Sequence, residues 1–146
     1  MKLNKLFSLI VRYFSFLKFI PGLPHIFDHL IRVWLFFVNP GLLDLMDEIE
    51  SDVMSREGAS VGLHKYGGLQ FNYYGKEIGH LHSNGLLDIL FDRKVKQELL
   101  LEGKINHHHV FKNSGWISFY IQDAGDMNYA KELLSIAYEK KSKHLL

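Results

Sequence analysis

The stretch Lys76-Glu-Ile-Gly-His-Leu-His-Ser-Asn-Gly-Leu-Leu-Asp-Ile-Leu-Phe91 decides how this chain folds. Two runs suited to strands flank Ser83-Asn84-Gly85, whose glycine can take the left-handed conformation that closes a short antiparallel hairpin. With three residues in the loop, His82 opposes Leu86, His80 opposes Asp88, and Leu81, Leu87, Ile89 and Phe91 share one apolar face. A two-residue Asn84-Gly85 loop would put the histidines on the face of Leu87 and Ile89 and carry Asp88 away. The first register separates polar from apolar residues more cleanly, and it is the one expected.

Strand signals continue on both sides of this hairpin. Upstream, Val61 and Leu63 alternate with Gly62 and His64, and Leu69, Phe71 and Tyr73 alternate with Gln70, Asn72 and Tyr74; Gly67-Gly68 turns the chain between them. Downstream, Asp92 is placed to cap a helix through Val95 and Leu99 towards Gly103. Strands His107 to Phe111 and Trp116 to Gln122 then flank the turn Lys112-Asn-Ser-Gly115, and Asp126 is expected to cap a last helix bearing Ala130, Leu133, Leu134 and Ala137. After Asn39-Pro40, the spacing of Leu42, Leu45, Met46, Ile49 and Val53 predicts a helix with an acidic outer face. The order implies an α+β fold, a mostly antiparallel sheet with helices packed on one face. Its predicted core includes Val61, Leu63, Phe71, Leu81, Ile89, Phe119 and Ile121.

Residues 1–38 read differently. Lys5, Ser8, Arg12 and Ser15 form a narrow polar stripe on an otherwise apolar helix, Pro21-Gly-Leu-Pro24 breaks it, and a second apolar helix runs to about Val38, with His25, Asp28, His29 and Arg32 on its polar side. The expected organisation is an apolar N-terminal helical hairpin over 1–38 followed by the α+β domain over 39–146. Arg12, Lys18, Asp28 and Arg32 interrupt the apolar run before it reaches the ~18 residues of a spanning helix. The hairpin suits either a membrane interface or self-association; the expected location is the cytoplasm, peripheral to a membrane in the first case.

Composition narrows the chemistry. A chain of 146 residues, 47% of them hydrophobic, suffices for one compact core, and a net charge of +1 provides no field for nucleic acid, which is not expected as a partner. Cysteine is absent, so disulfides, thiolate ligands and cysteine nucleophiles are excluded. No Gly-x-Ser-x-Gly elbow, His-Glu-x-x-His helix or Gly-x-Gly-x-x-Gly loop occurs.

What remains is histidine. The predicted registers put His64, Asn72, Tyr74, His80, His82, Asp88, Ser118 and Tyr120 on the sheet face away from the core, with Trp116 near one end. Such a face can floor a small-molecule site. It can also hold a divalent metal, since neutral imidazole suits zinc, copper, nickel or iron: His80 and His82 would bind with Asp88, or with a histidine of the 107–109 run such as His109. Alternation puts His107 and His109 on one face and His108 on the other.

The motifs His64-Lys-Tyr-Gly-Gly-Leu-Gln-Phe71, Lys76-Glu-Ile-Gly-His-Leu-His82, Gly85-Leu-Leu-Asp-Ile-Leu-Phe91, His108-His109, Ser114-Gly-Trp-Ile-Ser-Phe119 and Ala137-Tyr-Glu139 resemble, in that order, the luciferase domain family of small bacterial and fungal proteins. The resemblance spans about residues 58–140. It matches the family pattern at Gly79, His80, His82, Gly85, Asp88, His108, His109, Ser114, Gly115 and Trp116, and implies a site there without assigning roles. A more distant similarity to MmcQ/YjbR-like domains concerns the fold alone. Together with the polar face, the candidate ligand-binding residues are His64, His80, His82, Asp88, His108, His109, Ser114, Trp116 and Tyr120. The expected function is a ligand-binding module with a histidine-rich sheet face, placed at a membrane surface or in an oligomer by the N-terminal hairpin. Alternatives are a histidine-based metalloenzyme of the oxidoreductase class, or an interaction protein acting through its hairpin.

Overall fold

A computed structural model describes residues 20–108 and 110–143. Helix α1 (Leu23–Val38) is followed, after the single residue Asn39, by α2 (Pro40–Met54), with proline in the first turn of each, where its missing N–H costs nothing. Strands β1 (Ala59–Leu63), β2 (Leu69–Tyr73), β3 (Lys76–Leu81) and β4 (Leu86–Leu90) form a meander. Helix α3 (Arg93–Leu101), strands β5 (Asn106–His107) and β6 (Trp116–Tyr120), and helix α4 (Ala124–Lys143) complete the chain. All pairings are antiparallel in the order β1-β2-β3-β4-β6-β5, so β6 inserts between β4 and β5.

The β3–β4 hairpin takes the three-residue register: His80 pairs with Asp88 and Leu81 with Leu87, while the His82 N–H donates to the Leu86 carbonyl. Gly85, at φ 82°, closes the turn. One sheet face, carrying Phe71, Leu81, Leu87, Ile89, Ile117 and Phe119, is buried with Met46, Ile49 and Val53 of α2 and Ala130, Leu133 and Leu134 of α4. Each such aliphatic or aromatic side chain contributes about 1.5–3 kcal/mol through burial. Helix α1 shares this core through Leu35, and its backbone at Pro24 lies against Gly67, where any side chain would collide with the Pro24 carbonyl. The first half of the expected hairpin, residues 3–20, lies outside the described residues except for Ile20.

Several local expectations change. Leu63 is 68% exposed and Val61 only half-buried, because β1 is the sheet's edge and Leu63 its last residue. The strand expected over His107 to Phe111 stops at His107: the amides of Val110 and Phe111 both donate to His108 Nδ1 at 3.0 Å and are lost to the ladder. Tyr74 leaves the polar face. It sits at φ 43° in the β2–β3 turn, its amide bonded to the Gly58 carbonyl. Helix α4 begins before Asp126: Asp123 accepts from the Asp126 amide, and Asp126 in turn accepts from the Gln122 amide, so the two acids share the capping.

A buried histidine and carboxylate cluster

The exposed-looking sheet face of the sequence is largely closed over. Asp88, in the middle of β4, is 0% exposed, and His64, His80, His108 and Ser118 are buried around it. Pairing sets this up directly: Asp88 faces His80 on β3 and Ser118 on β6. The Ser118 hydroxyl donates to Asp88 Oδ1. The other oxygen, Oδ2, has no hydrogen bond of normal geometry, yet three imidazoles point Nε2 at it: His80 at 3.3 Å, His108 at 3.5 Å and His82 at 3.8 Å.

Glu77 joins the cluster through an irregularity in β3. Phe71 pairs with Gly79 but the next residue, Asn72, pairs with Glu77, so Ile78 is an extra residue, a β-bulge. Ile78 is buried in the core with Leu81, and the break in alternation turns Glu77 to the face of His80. Glu77 Oε1 lies 2.7 Å from His80 Nδ1 and 3.8 Å from His64 Nε2. His64 stacks on His80, ring centroids 3.8 Å apart and planes within 7°. Trp116 lies against His80 and His108, at 5.2 Å and 6.0 Å.

These contacts fix charges and tautomers. Burial alone would raise the Asp88 pKa, but the close imidazoles of His108 and His80 and the hydrogen bond from Ser118 overcome it and hold the carboxyl well below the usual carboxylate range. For His80 burial is likewise the largest influence and disfavours the cation; Asp88 and Glu77 together outweigh it and raise the pKa. His64 and His82 show the opposite balance. Burial, reinforced by the neighbouring His80 cation, lowers each to about 4, so both are neutral near pH 7. In His108 the two backbone donors occupy Nδ1, which assigns the proton to Nε2 and makes this ring a donor to Asp88.

Of the sequence-derived candidates, His64, His80, His82, Asp88, His108 and Trp116 come together. Tyr120 is near enough for the Asp88 charge to add to burial in raising its pKa. Ser114 is a turn residue, its hydroxyl donating to the Phe111 carbonyl and accepting from the Trp116 amide. His109 lies outside the described residues. Sequence reasoning missed Glu77, which simple alternation puts on the wrong face, and Lys96. The Lys96 ammonium donates to the carbonyls of Lys112, Ser114 and Trp116 at 2.8–2.9 Å and so holds the turn that carries the indole. It also missed Ser83 beside His82, whose amide and hydroxyl both donate to the buried Asp28 of α1.

The fold is an antiparallel α+β sheet with a buried imidazole–carboxylate cluster on the face opposite the core helices. Residues 75–137 match the family model described as the luciferase domain. The match contains Glu77, His80, His82, Asp88, His108, Trp116 and Ser118; His64 and α1 precede it. No curated protein and no solved structure matches the chain.

Proposed function

We propose that this domain binds a divalent transition-metal ion between His80, Asp88 and His82, and that the ion is the ligand of the histidine face. The observation that supports this is the unpaired Asp88 Oδ2 with imidazole nitrogens at 3.3–3.8 Å. Those separations are long for charge-assisted hydrogen bonds. The His80 separation matches the spacing of two ligands on one tetrahedral ion, about 3.3 Å for bonds of about 2.0–2.1 Å, and His82, at 3.8 Å, would move inward to complete the set. Glu77 completes the carboxylate–histidine–metal arrangement, accepting from His80 Nδ1 so that Nε2 carries the lone pair once an ion replaces the proton.

Among the described residues, two sets of three have ligand atoms within 4.8 Å of one another, His64, His80 and His82, and His80, Asp88 and His108; the proposed trio takes its two histidines from the first and its carboxylate from the second. His108 is better placed as the donor that orients Asp88 than as a ligand, because coordination through Nε2 would require a proton on Nδ1 where two amide hydrogens already converge. His64 lies parallel to His80 rather than radiating from a shared centre, and shields Glu77. Burial of Asp88, His80, His64 and His108 suits an ion better than an organic molecule. Two histidines and one carboxylate leave coordination positions for water or substrate, the ligand set of reactive zinc and non-haem iron(II) sites.

Metal content by mass spectrometry on untagged full-length protein, alone and after zinc, copper or iron(II) is offered and removed by gel filtration, tests this. Near-stoichiometric metal that is absent from His80→Ala is expected. Glu77→Gln keeps the three ligands and should bind about 10–100-fold more weakly. Wild-type protein that retains none of the three ions would overturn the reading.

A further inference from the structure

Helix α1 is amphipathic in the inverse sense. Its polar side faces the protein: the buried Asp28 accepts from the Ser83 amide at 3.1 Å and hydroxyl at 2.7 Å, and Arg32 Nε donates to the same hydroxyl at 3.1 Å, with Leu35 buried on this side. The opposite side carries Ile26, Leu30, Val33, Trp34 and Phe37, spaced i, i+4, i+7, i+8 and i+11, each between 56% and 76% exposed. Rolling the helix to bury this stripe would strand Asp28 without its donors, a costly exchange for a carboxylate. The stripe is therefore committed to something outside the fold.

Charge identifies what that is. The first 38 residues hold five basic residues, Lys2, Lys5, Arg12, Lys18 and Arg32, against one acid, Asp28, which is engaged in the interior. The remaining residues hold twelve basic against fifteen acidic ones. Along the sequence, basic charge is thus concentrated before and within α1 and acidic charge in the remainder. No described helix is long and apolar enough to cross a membrane. A second copy docked stripe to stripe would set basic segment against basic segment across a twofold axis.

We infer that the exposed stripe of α1 lies flat on an anionic lipid surface, with Trp34 and Phe37 at the headgroup boundary, and that the basic charge of the N-terminal sequence favours this surface over a neutral one. The helix then has lipid on one side and Ser83, the neighbour of His82, on the other.

Flotation of the full-length protein with phosphatidylcholine vesicles, with and without about 30% phosphatidylglycerol, is the test. The wild type should float with the anionic vesicles and detach progressively as salt is raised. Trp34→Ser/Phe37→Ser should lower the bound fraction at least about tenfold. Because both side chains are exposed, thermal melting should not change. Absence of binding to the anionic vesicles, binding undiminished in the double variant, or a vesicle-free dimer that the double variant dissociates would each overturn the inference.

Discussion

His64 and His82 make the metal-free protein sensitive to mild acid. Both are lowered from 6.5 to about 4 in the folded state, so between those values the unfolded chain takes up protons that the folded protein refuses. Stability is complete above about pH 6.5 and falls as pH drops towards 4, by about 3 kcal/mol for each group taken separately. His80, with its raised pKa, acts in the other direction: its contribution is full below 6.5 and lost as pH rises through the folded value. Asp88 adds a loss only below the ordinary carboxylate range. Urea midpoints measured in EDTA at pH 7, 5.5 and 4 should therefore drop steeply, and His64→Gln should remove about half of the slope. A flat profile would mean that these rings are solvated. At this scale the sequence was partly legible. The hairpin register brought His80 to Asp88 because a strict alternation marked the apolar face, but nothing in Lys76-Glu-Ile-Gly announced the bulge that turns Glu77 around.

Helix α3 shows how an element can serve a site it does not touch. Its apolar residues Val95 and Leu99 anchor it, Asp92 caps it by accepting from the Val95 amide at 2.8 Å, and Lys96 extends to three carbonyls of the segment that leads into β6. Burial lowers the Lys96 pKa, and the three carbonyl dipoles stabilise the ammonium. Lys96→Met keeps the stem and removes the donors. It should cost about 1.5–3 kcal/mol in chemical denaturation and free the indole of Trp116, read as a loss of near-ultraviolet circular dichroism. An unchanged signal with unchanged stability would show the lysine to be dispensable. The capped start of α3 was readable from Asp92, and the core face of α2 from its spacing. The end of β5 was not, because it depends on an imidazole accepting its neighbours' amides, a competition that propensity does not encode.

For the whole molecule, the cluster draws on β3, β4, β6, the loops beside β1 and β5, and, through Ser83, on α1. An ion held there ties these segments together and should stabilise the fold globally. At a free metal concentration about 100 times the dissociation constant the gain is about 2.7 kcal/mol, and for a chain of this size the melting temperature should rise by roughly 5–10 °C. Calorimetry of the full-length protein with EDTA and with each metal reads this directly, and no shift with any ion would count against a site formed only in the native state. The strand order carries a further consequence, for synthesis. β4 leaves the ribosome long before β6, so its outer edge stays bare until residues 116–120 arrive, while β5, made earlier, has no neighbour to join. A nascent chain paused in that interval exposes the Leu86–Leu90 backbone as an open template for foreign strands. Emergence of β6 closes that edge and delivers Ser118 to Asp88 in the same event, so the chain loses its hazard at the moment it completes its site.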